Sequence, residues 1–305
     1  MTMNQKEIKK FFSDNPMPAA WFVAAKQGHI DVIHNITKNS MVEDVDMPCH
    51  LPSFDSYDHG STALHLAIRA GHSDVVALLC KLGADPARTS NCSNYELNGL
   101  FQAIYRGHDT IVAQLLTKFP GLKNTRGFYD YTPLQAAVIF VYLAESTRVV
   151  STLLNHGCSI NEGLADGSVL LDHCLAGSIT TPGQAQSDPQ RLQLHESLID
   201  LLCEWKANVD NVKKVVVTAA SIGSLSIVKK LSTAGVNLNV KHVPVFMDDD
   251  PLTPILAAVL NGHEDIVRYL AQCPRVDLNC LTNNKRSVLH WAAFKGYQSI
   301  LQALW

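Results

Sequence analysis

Residues 62–85 read TALHLAIRAGHSDVVALLCKLGAD, residues 253–270 read TPILAAVLNGHEDIVRYL, and residues 132–137 with 149–161 read TPLQAA and VVSTLLNHGCSIN. The three stretches share one grammar. Thr62, Thr132 and Thr253 stand where a helix needs an N-cap. Pro133 and Pro254 follow at the first helical position, which tolerates a missing N–H. Gly71 and Gly262 end the helix where the chain must turn left-handed. Val75/Val76 with Leu78/Leu79, and Ile266/Val267 with Leu270, place one apolar stripe on a second helix. One helix pair cannot bury that stripe alone, so neighbouring pairs must stack.

Working outward, the Ala four residues before the turn Gly recurs as a ladder: Ala24, Ala67, Ala103, Ala137, Cys174, Ala219, Ala258 and Ala292. A small residue there lets the two helices pack closely. The turn positions are Gly28, Gly71, Gly107, Val141, Ser178, Gly223, Gly262 and Gly296, and the ladder steps are 43, 36, 34, 37, 45, 39 and 34 residues. Self-similarity at such a period marks a repeat architecture. The pattern Thr-Pro-Leu-His-x-Ala, then Gly-His, then Val-Val-x-x-Leu-Leu, then Gly-Ala resembles ankyrin repeats. The resemblance implies an all-α solenoid of stacked helix-turn-helix units with β-hairpin fingers. About eight repeats would fill residues 18–305 after an N-terminal cap at 1–17, where Glu7–Phe12 fits a small capping helix.

Length alone would give two domains, since a chain of 305 residues is about twice the usual domain size. The ladder replaces that estimate with one array. The formal charge is −3, hydrophobic residues make up 47% and charged residues 17%. Residues 1–152 carry 13 basic and 14 acidic side chains and residues 153–305 carry 12 and 14, so neither half has the basic footprint of a nucleic-acid binder. No secretory signal follows the charged start MTMNQKEIKKFF, and no apolar run is long enough for a membrane span. The eight cysteines form no CxxC and no zinc-ligand spacing, which reads as a reduced, cytoplasmic chain. No phosphate-binding loop, dinucleotide fingerprint or HExxH helix is present, so no metal or small-molecule cofactor is expected.

The ladder is broken in places. From the ladder residue to the next helix's second apolar position the count is 9 in the second repeat, 13 in the fourth and 25 in the fifth. The fourth and fifth repeats therefore carry inserts near 141–147 and 177–195, and the polar GSITTPGQAQSDPQRLQLH of the latter reads as a mobile loop. From Ala207 to Ala219 the count is only 12, and Lys206 stands where the repeat wants Gly, so the fifth–sixth junction is expected to be the weakest.

Ankyrin stacks generally bind partners on a concave face made of finger tips and exposed first-helix positions. The resemblance puts Lys26, Arg69, Tyr105 and Arg106 on those helices, and Tyr95, Phe128, Tyr129 and Tyr131 on the third and fourth fingers. Tyr and Arg dominate binding hot spots because they bury much area with few rotamers and still hydrogen-bond. These eight residues form the expected protein-binding patch. An alternative assignment has Phe128 and Tyr131 packing finger on finger.

Other candidates read as scaffold. His65 and His290 take the repeat's usual His position, where a ring-to-finger hydrogen bond is expected, and His29, His72, His108 and His263 follow the turns. Asp248–Asp250 is an acidic finger tip without calcium-loop spacing. His173–Cys174 beside the large insert offers a cysteine hydrolase as an alternative, against the poor geometry of adjacent helical residues and the packing role of the ladder position. The function expected is therefore a non-enzymatic protein-interaction scaffold. A second alternative is the substrate-recognition part of a longer enzyme whose catalytic domain lies C-terminal to this chain. The last repeat, SVLHWAAFKGYQSILQALW, places Leu301, Leu304 and Trp305 on its final helix, so a fragment whose continuation covers that apolar end is expected. Degenerate repeats with irregular inserts are also similar to ankyrin proteins that intracellular bacteria deliver into host cells, which offers a host-directed bacterial effector, then in the host cytosol, as one alternative setting.

Overall fold

Thr62 opens the most regular repeat of the computed structural model. Its backbone N–H donates to His65 Nδ1 (3.2 Å), and its hydroxyl accepts from the His65 backbone N–H (3.4 Å), a reciprocal cap that starts the helix. With Nδ1 accepting, Nε2 carries the ring proton and donates to Arg88 O (3.0 Å) on the following finger. Burial holds His65 neutral, pushing its pKa down to about 4. The same reciprocal cap recurs as Thr132/Gln135 and Ser287/His290.

The structure describes residues 3–50, 58–92, 95–175, 188–243 and 250–304, without the side chains of Gln5, Asn91, Cys92, Tyr95, Glu96 and Phe128. The chain divides into two compact units, Met1–Cys158 and Ser159–Trp305. In the first, α1 (Gln5–Asp14) precedes four repeats: α2 (Ala19–Gln27) with α3 (Ile30–Lys38), α4 (Ala63–Ala70) with α5 (Ser73–Lys81), α6 (Gly99–Tyr105) with α7 (Asp109–Lys118), and α8 (Pro133–Ile139), a short α9 (Val141–Ala144) and α10 (Arg148–Asn155). The first helices α2, α4, α6 and α8 pack side by side, as do the second helices α3, α5, α7 and α10. A two-stranded antiparallel finger joins β1 (Thr89–Cys92) to β2 (Tyr95–Asn98), with Thr89 paired to Asn98 and Cys92 to Tyr95. The core is the ladder and its neighbours: Trp21, Phe22, Ala24, Leu64, Ala67, Phe101, Ala103 and Leu134 are all fully or almost fully buried.

A second row of residues stitches the turns. The rings of His72 and His108 donate to Lys26 O (3.1 Å) and Arg69 O (3.4 Å) of the preceding repeat. In the second unit His263 does the same to Ser221 O (2.9 Å). Each ring lies under the preceding turn. A Cβ on Gly28 or Gly223 would come within 2.7 Å or 2.6 Å of the His72 or His263 ring, and both turns have positive φ (77° and 84°). Glycine is needed there for space as well as for conformation.

In the second unit the fifth repeat begins with a 3-10 turn, Leu170–His173, and its second helix is α11 (Pro189–Glu204). Three regular repeats follow: α12 (Lys214–Ile222) with α13 (Leu225–Thr233), α14 (Pro254–Leu260) with α15 (Glu264–Ala271), and α16 (Val288–Lys295) with α17 (Gln298–Leu304). The polar insert expected as a loop over 177–195 is helical from Pro189 on. The Asp188 carboxylate caps that helix by accepting from Arg191 N (3.0 Å), and Pro189 takes the first helical position. Residues 177–187 of the insert lie outside the described residues.

The fifth–sixth junction, which the short spacing marks as weak, has its own stitching. Asp172 occupies the position that His65 holds in the second repeat. Its buried carboxylate accepts from Lys213 N (2.9 and 3.1 Å) and Val215 N (3.1 Å), so it caps α12 from 41 residues away. His65 donates to the next finger, whereas Asp172 accepts from the start of the next helix. That reversal of polarity lets the junction do without a full finger. Asn161 adds a second link, accepting from Asn208 N (2.7 Å). Lys206 is forced into the left-handed region at φ 57°, where Gly would be unstrained.

Candidate protein-binding site

The third and fourth repeats position the predicted patch. The Asn98 side chain accepts from Phe101 N (3.1 Å) and starts α6, which delivers Tyr105 and then Arg106 at its C-terminal end. The fourth finger turns back through Gly127 N to Tyr131 O (3.0 Å), braced by Arg126 Nη1 donating to Asp130 O (3.1 Å). It is pressed onto α6, because a Cβ on Gly127 would lie 2.5 Å from Phe101 Cε1. Tyr129 and Asp130 both have left-handed backbones, with φ of 58° and 61°. Each such residue costs roughly 1–2 kcal/mol, so packing and hydrogen bonds hold this tip against its local preference. Tyr129 stands at the tip 65% exposed.

The rings form a continuous strip. Tyr129 and Tyr131 are 5.8 Å apart, Tyr131 and Phe140 are 6.5 Å apart, and Tyr105 meets Phe140 edge-on at 5.1 Å. Tyr142 joins Phe140 at 6.4 Å. Burial, with the neighbouring Tyr131, pushes the Tyr105 phenol up to about 12, so it stays a neutral donor. Phe140 and Tyr142 are absent from the patch read off the sequence. Phe140 ends α8 at the register position that Arg106 holds after α6, Tyr142 belongs to the short insert of the fourth repeat, and the run Phe140-Val141-Tyr142 was the available signal. The insert forms α9, which packs Ala144 against the Gly107 turn and so sets those two rings beside Tyr105.

The predicted residues fall into two groups. Tyr105, Tyr129 and Tyr131 come together, with Arg106 following Tyr105 on the surface and in no ion pair among the described residues. Lys26 and Arg69 instead converge on Asp58, at 2.8 Å and 2.5 Å. Asp58 lies in the long finger after the first repeat, and its buried carboxylate offsets one of the two cationic charges. Lys26 and Arg69 therefore share one carboxylate. Tyr95 and Phe128 have side chains outside the described residues.

The hydrolase alternative calls for a reachable thiol at Cys174. Cys174 is fully buried, and burial pushes its thiol well above the usual range. His173 turns to Ser168 Oγ (2.7 Å) instead. Burial also raises the thiols of Cys80 and Cys203. Among the described residues no group of three or more His, Cys, Asp or Glu could hold a metal ion. No helix among them is long and apolar enough to cross a membrane. Of the acidic tip, Asp248 and Asp249 lie outside the described residues, and Asp250 accepts from Asn283 N (3.0 Å) on the next finger.

A family described as Ankyrin repeats (3 copies) matches residues 4–90 and 195–305. No curated protein matches the chain. Among solved structures, the crystal structure of the human ASB11 ankyrin repeat domain is similar with a TM-score of 0.55 at 20% identity, covering 79% of this chain and 95% of that one. At that identity the likeness concerns the fold alone.

Proposed function

The chain belongs to the ankyrin-repeat family, and from that premise we propose that it is a non-enzymatic scaffold that grips a partner protein with the aromatic strip of its third and fourth repeats. Ankyrin repeats are protein-interaction modules, and the face made by the first helices and fingers is the proposed groove. Tyr105, Arg106, Tyr129 and Tyr131 are the proposed anchors, with Phe140 and Tyr142 as their floor. Lys26 and Arg69, tied to Asp58, form a second and weaker contact area. The observation that carries this reading is the exposed Tyr129 ring, held out on a strained but braced finger and continued by four further rings. A rigid aromatic side chain of this kind loses little entropy on binding.

We also place the protein in a reducing, cytoplasmic compartment. The seven cysteines among the described residues are free, which supports that placement.

Affinity purification of the full chain from its native cell, followed by identification of bound proteins, tests the assignment. A partner held by wild type should be lost by Tyr129→Ala combined with Arg106→Glu. Hot-spot losses of about 2 kcal/mol or more would weaken capture by at least about thirtyfold. Capture unchanged by that double substitution would remove the assignment.

A further inference from the structure

The aromatic strip of the first unit has a chemistry narrower than that of a general protein contact. Phe140 is set among four phenols, those of Tyr105, Tyr129, Tyr131 and Tyr142. The ring faces favour apolar groups, while the phenol hydroxyls favour hydrogen-bond acceptors. The Tyr105 and Tyr142 rings are only partly exposed, and their hydroxyls make no hydrogen bond among the described residues. Burial and the Tyr131 phenol alone push the Tyr105 phenol up to about 12. No described ammonium, guanidinium or carboxylate therefore stands against it, and it remains an uncharged donor.

The rings touch one another instead of enclosing a hollow. Neighbouring centroids are 5.1–6.5 Å apart and neighbouring planes differ by 50–76°, so the strip is corrugated. A caged cation needs ring faces turned to it within about 6 Å, and here the rings turn to each other. Nearest to them in the chain are Arg106 beside Tyr105, Asp130 beside Tyr129, Arg126 bracing the finger, and Glu145 and Arg148 after α9. Those charges are mixed, so the strip as a whole favours neither sign. Arg106 is exposed and makes no ion pair among the described residues, Glu145 included.

We infer that the strip docks a proline-rich segment of the partner in the polyproline II conformation, uncharged over its prolines and carrying a carboxylate for Arg106 beyond one end. The inference rests on the proposed function and names the kind of segment that occupies that site. Polyproline II makes no internal hydrogen bonds, so its carbonyls are free to accept from the Tyr105 and Tyr142 hydroxyls. A helix keeps its carbonyls for itself and would bury those phenols without acceptors. Proline rings offer apolar faces to the aromatic rings, and a segment already extended loses little entropy on docking. Such a segment repeats a face about every 9 Å. Each ring-to-ring step is shorter than that, so every turn of the segment meets a ring. Charge complementarity at Arg106 supplies the flanking carboxylate.

A phage-displayed library of random peptides of about 12 residues, about 37 Å when extended as polyproline II, tests the inference against the full chain. The counter-selection target is the chain with Tyr129→Ala and Arg106→Glu, both exposed positions. Peptides enriched on wild type and lost on the variant should carry prolines three residues apart with Asp or Glu beyond one end. An enriched peptide, labelled and titrated by fluorescence anisotropy, should lose at least about tenfold in affinity when its prolines become Ala. Tyr105→Phe keeps the ring and the packing and removes only the donor, so it should weaken binding at least about twofold. Arg106→Glu should weaken binding too, and Lys in place of the peptide's carboxylate should restore it. Strip-dependent peptides without proline, proline-rich peptides that bind wild type and variant alike, or affinity unmoved by Tyr105→Phe would each overturn the inference. So would the absence of any strip-dependent peptide. If capture of the partner is still lost in the double variant, the proposed function stands and only the kind of segment is wrong.

Discussion

Replacing Asp172 tests how the fifth and sixth repeats are joined. The Asp172 carboxylate receives the N–H groups of Lys213 and Val215. Lys213 is exposed, so water can replace its lost acceptor at a cost of about 0.5–1.5 kcal/mol, an ordinary net hydrogen bond. Val215 is fully buried, and a stranded buried N–H costs about 1–3 kcal/mol. Asp172→Ala should therefore destabilise the junction by roughly 2–4 kcal/mol. Asp172→Asn keeps one acceptor oxygen for both N–H groups but turns an NH2 toward the other contact, so it should fall between, at about 1–2 kcal/mol. The assay is native-state hydrogen exchange across α12, read together with urea unfolding of the full chain. At 1.4 kcal/mol per tenfold, the Val215 amide should exchange at least about thirtyfold faster in Asp172→Ala. A change below about 0.5 kcal/mol, the scatter of neutral surface substitutions, with unchanged exchange at Val215, would refute the capping argument.

Three other outcomes follow from the same physics. Burial lowers the His65 pKa to about 4 in the folded chain, against 6.5 for a free imidazole. The unfolded chain thus binds its proton first, and this contribution to stability is present above pH 6.5 and is lost as pH falls toward 4. Gln135 fills the same capping position in the fourth repeat, so His65→Gln should fold and should show a shallower loss of stability across that interval in pH-dependent urea melts. Lys206→Gly should stabilise the chain by about 0.5–1 kcal/mol, left-handed strain relieved less the entropy of Gly; a lower midpoint in urea would contradict the strain assignment. Cys174 should resist iodoacetamide in the native chain and react on unfolding, and rapid native labelling resolved by peptide mapping would reopen the cysteine hydrolase.

Some of this architecture is readable from the chain because its signals are local. Thr62, Pro133, Gly71 and the ladder Ala each act within one turn of helix, at spacings that a sequence displays directly. Asp172 shows where that stops. It departs from the His of the motif, and its partners Lys213 and Val215 are recognisable only once the backbone has brought them together. Asp58 is similar: nothing near it in the chain reveals that Lys26 and Arg69 both converge on it, although those two cations were legible as a pair of equivalent positions. In the site, Tyr105, Tyr129 and Tyr131 were legible from repeat register. Phe140 stands three residues after the ladder Ala137, as Arg106 does after Ala103, so register could have placed it; Tyr142 was not legible, because an insert has no register. The helical part of the 177–195 insert was obscured by its polar composition, although Asp188–Pro189 is itself a helix-start signal.

The central claim is that a partner protein sits on the aromatic strip. Site-specific photo-crosslinking in the native cell tests it most directly, with a benzophenone side chain placed at Tyr129 and, as the control, at Trp205, an exposed aromatic of the second unit. The account predicts one dominant protein adduct from position 129 that is absent from position 205. No adduct at 129, or the same adducts from both positions, would contradict it.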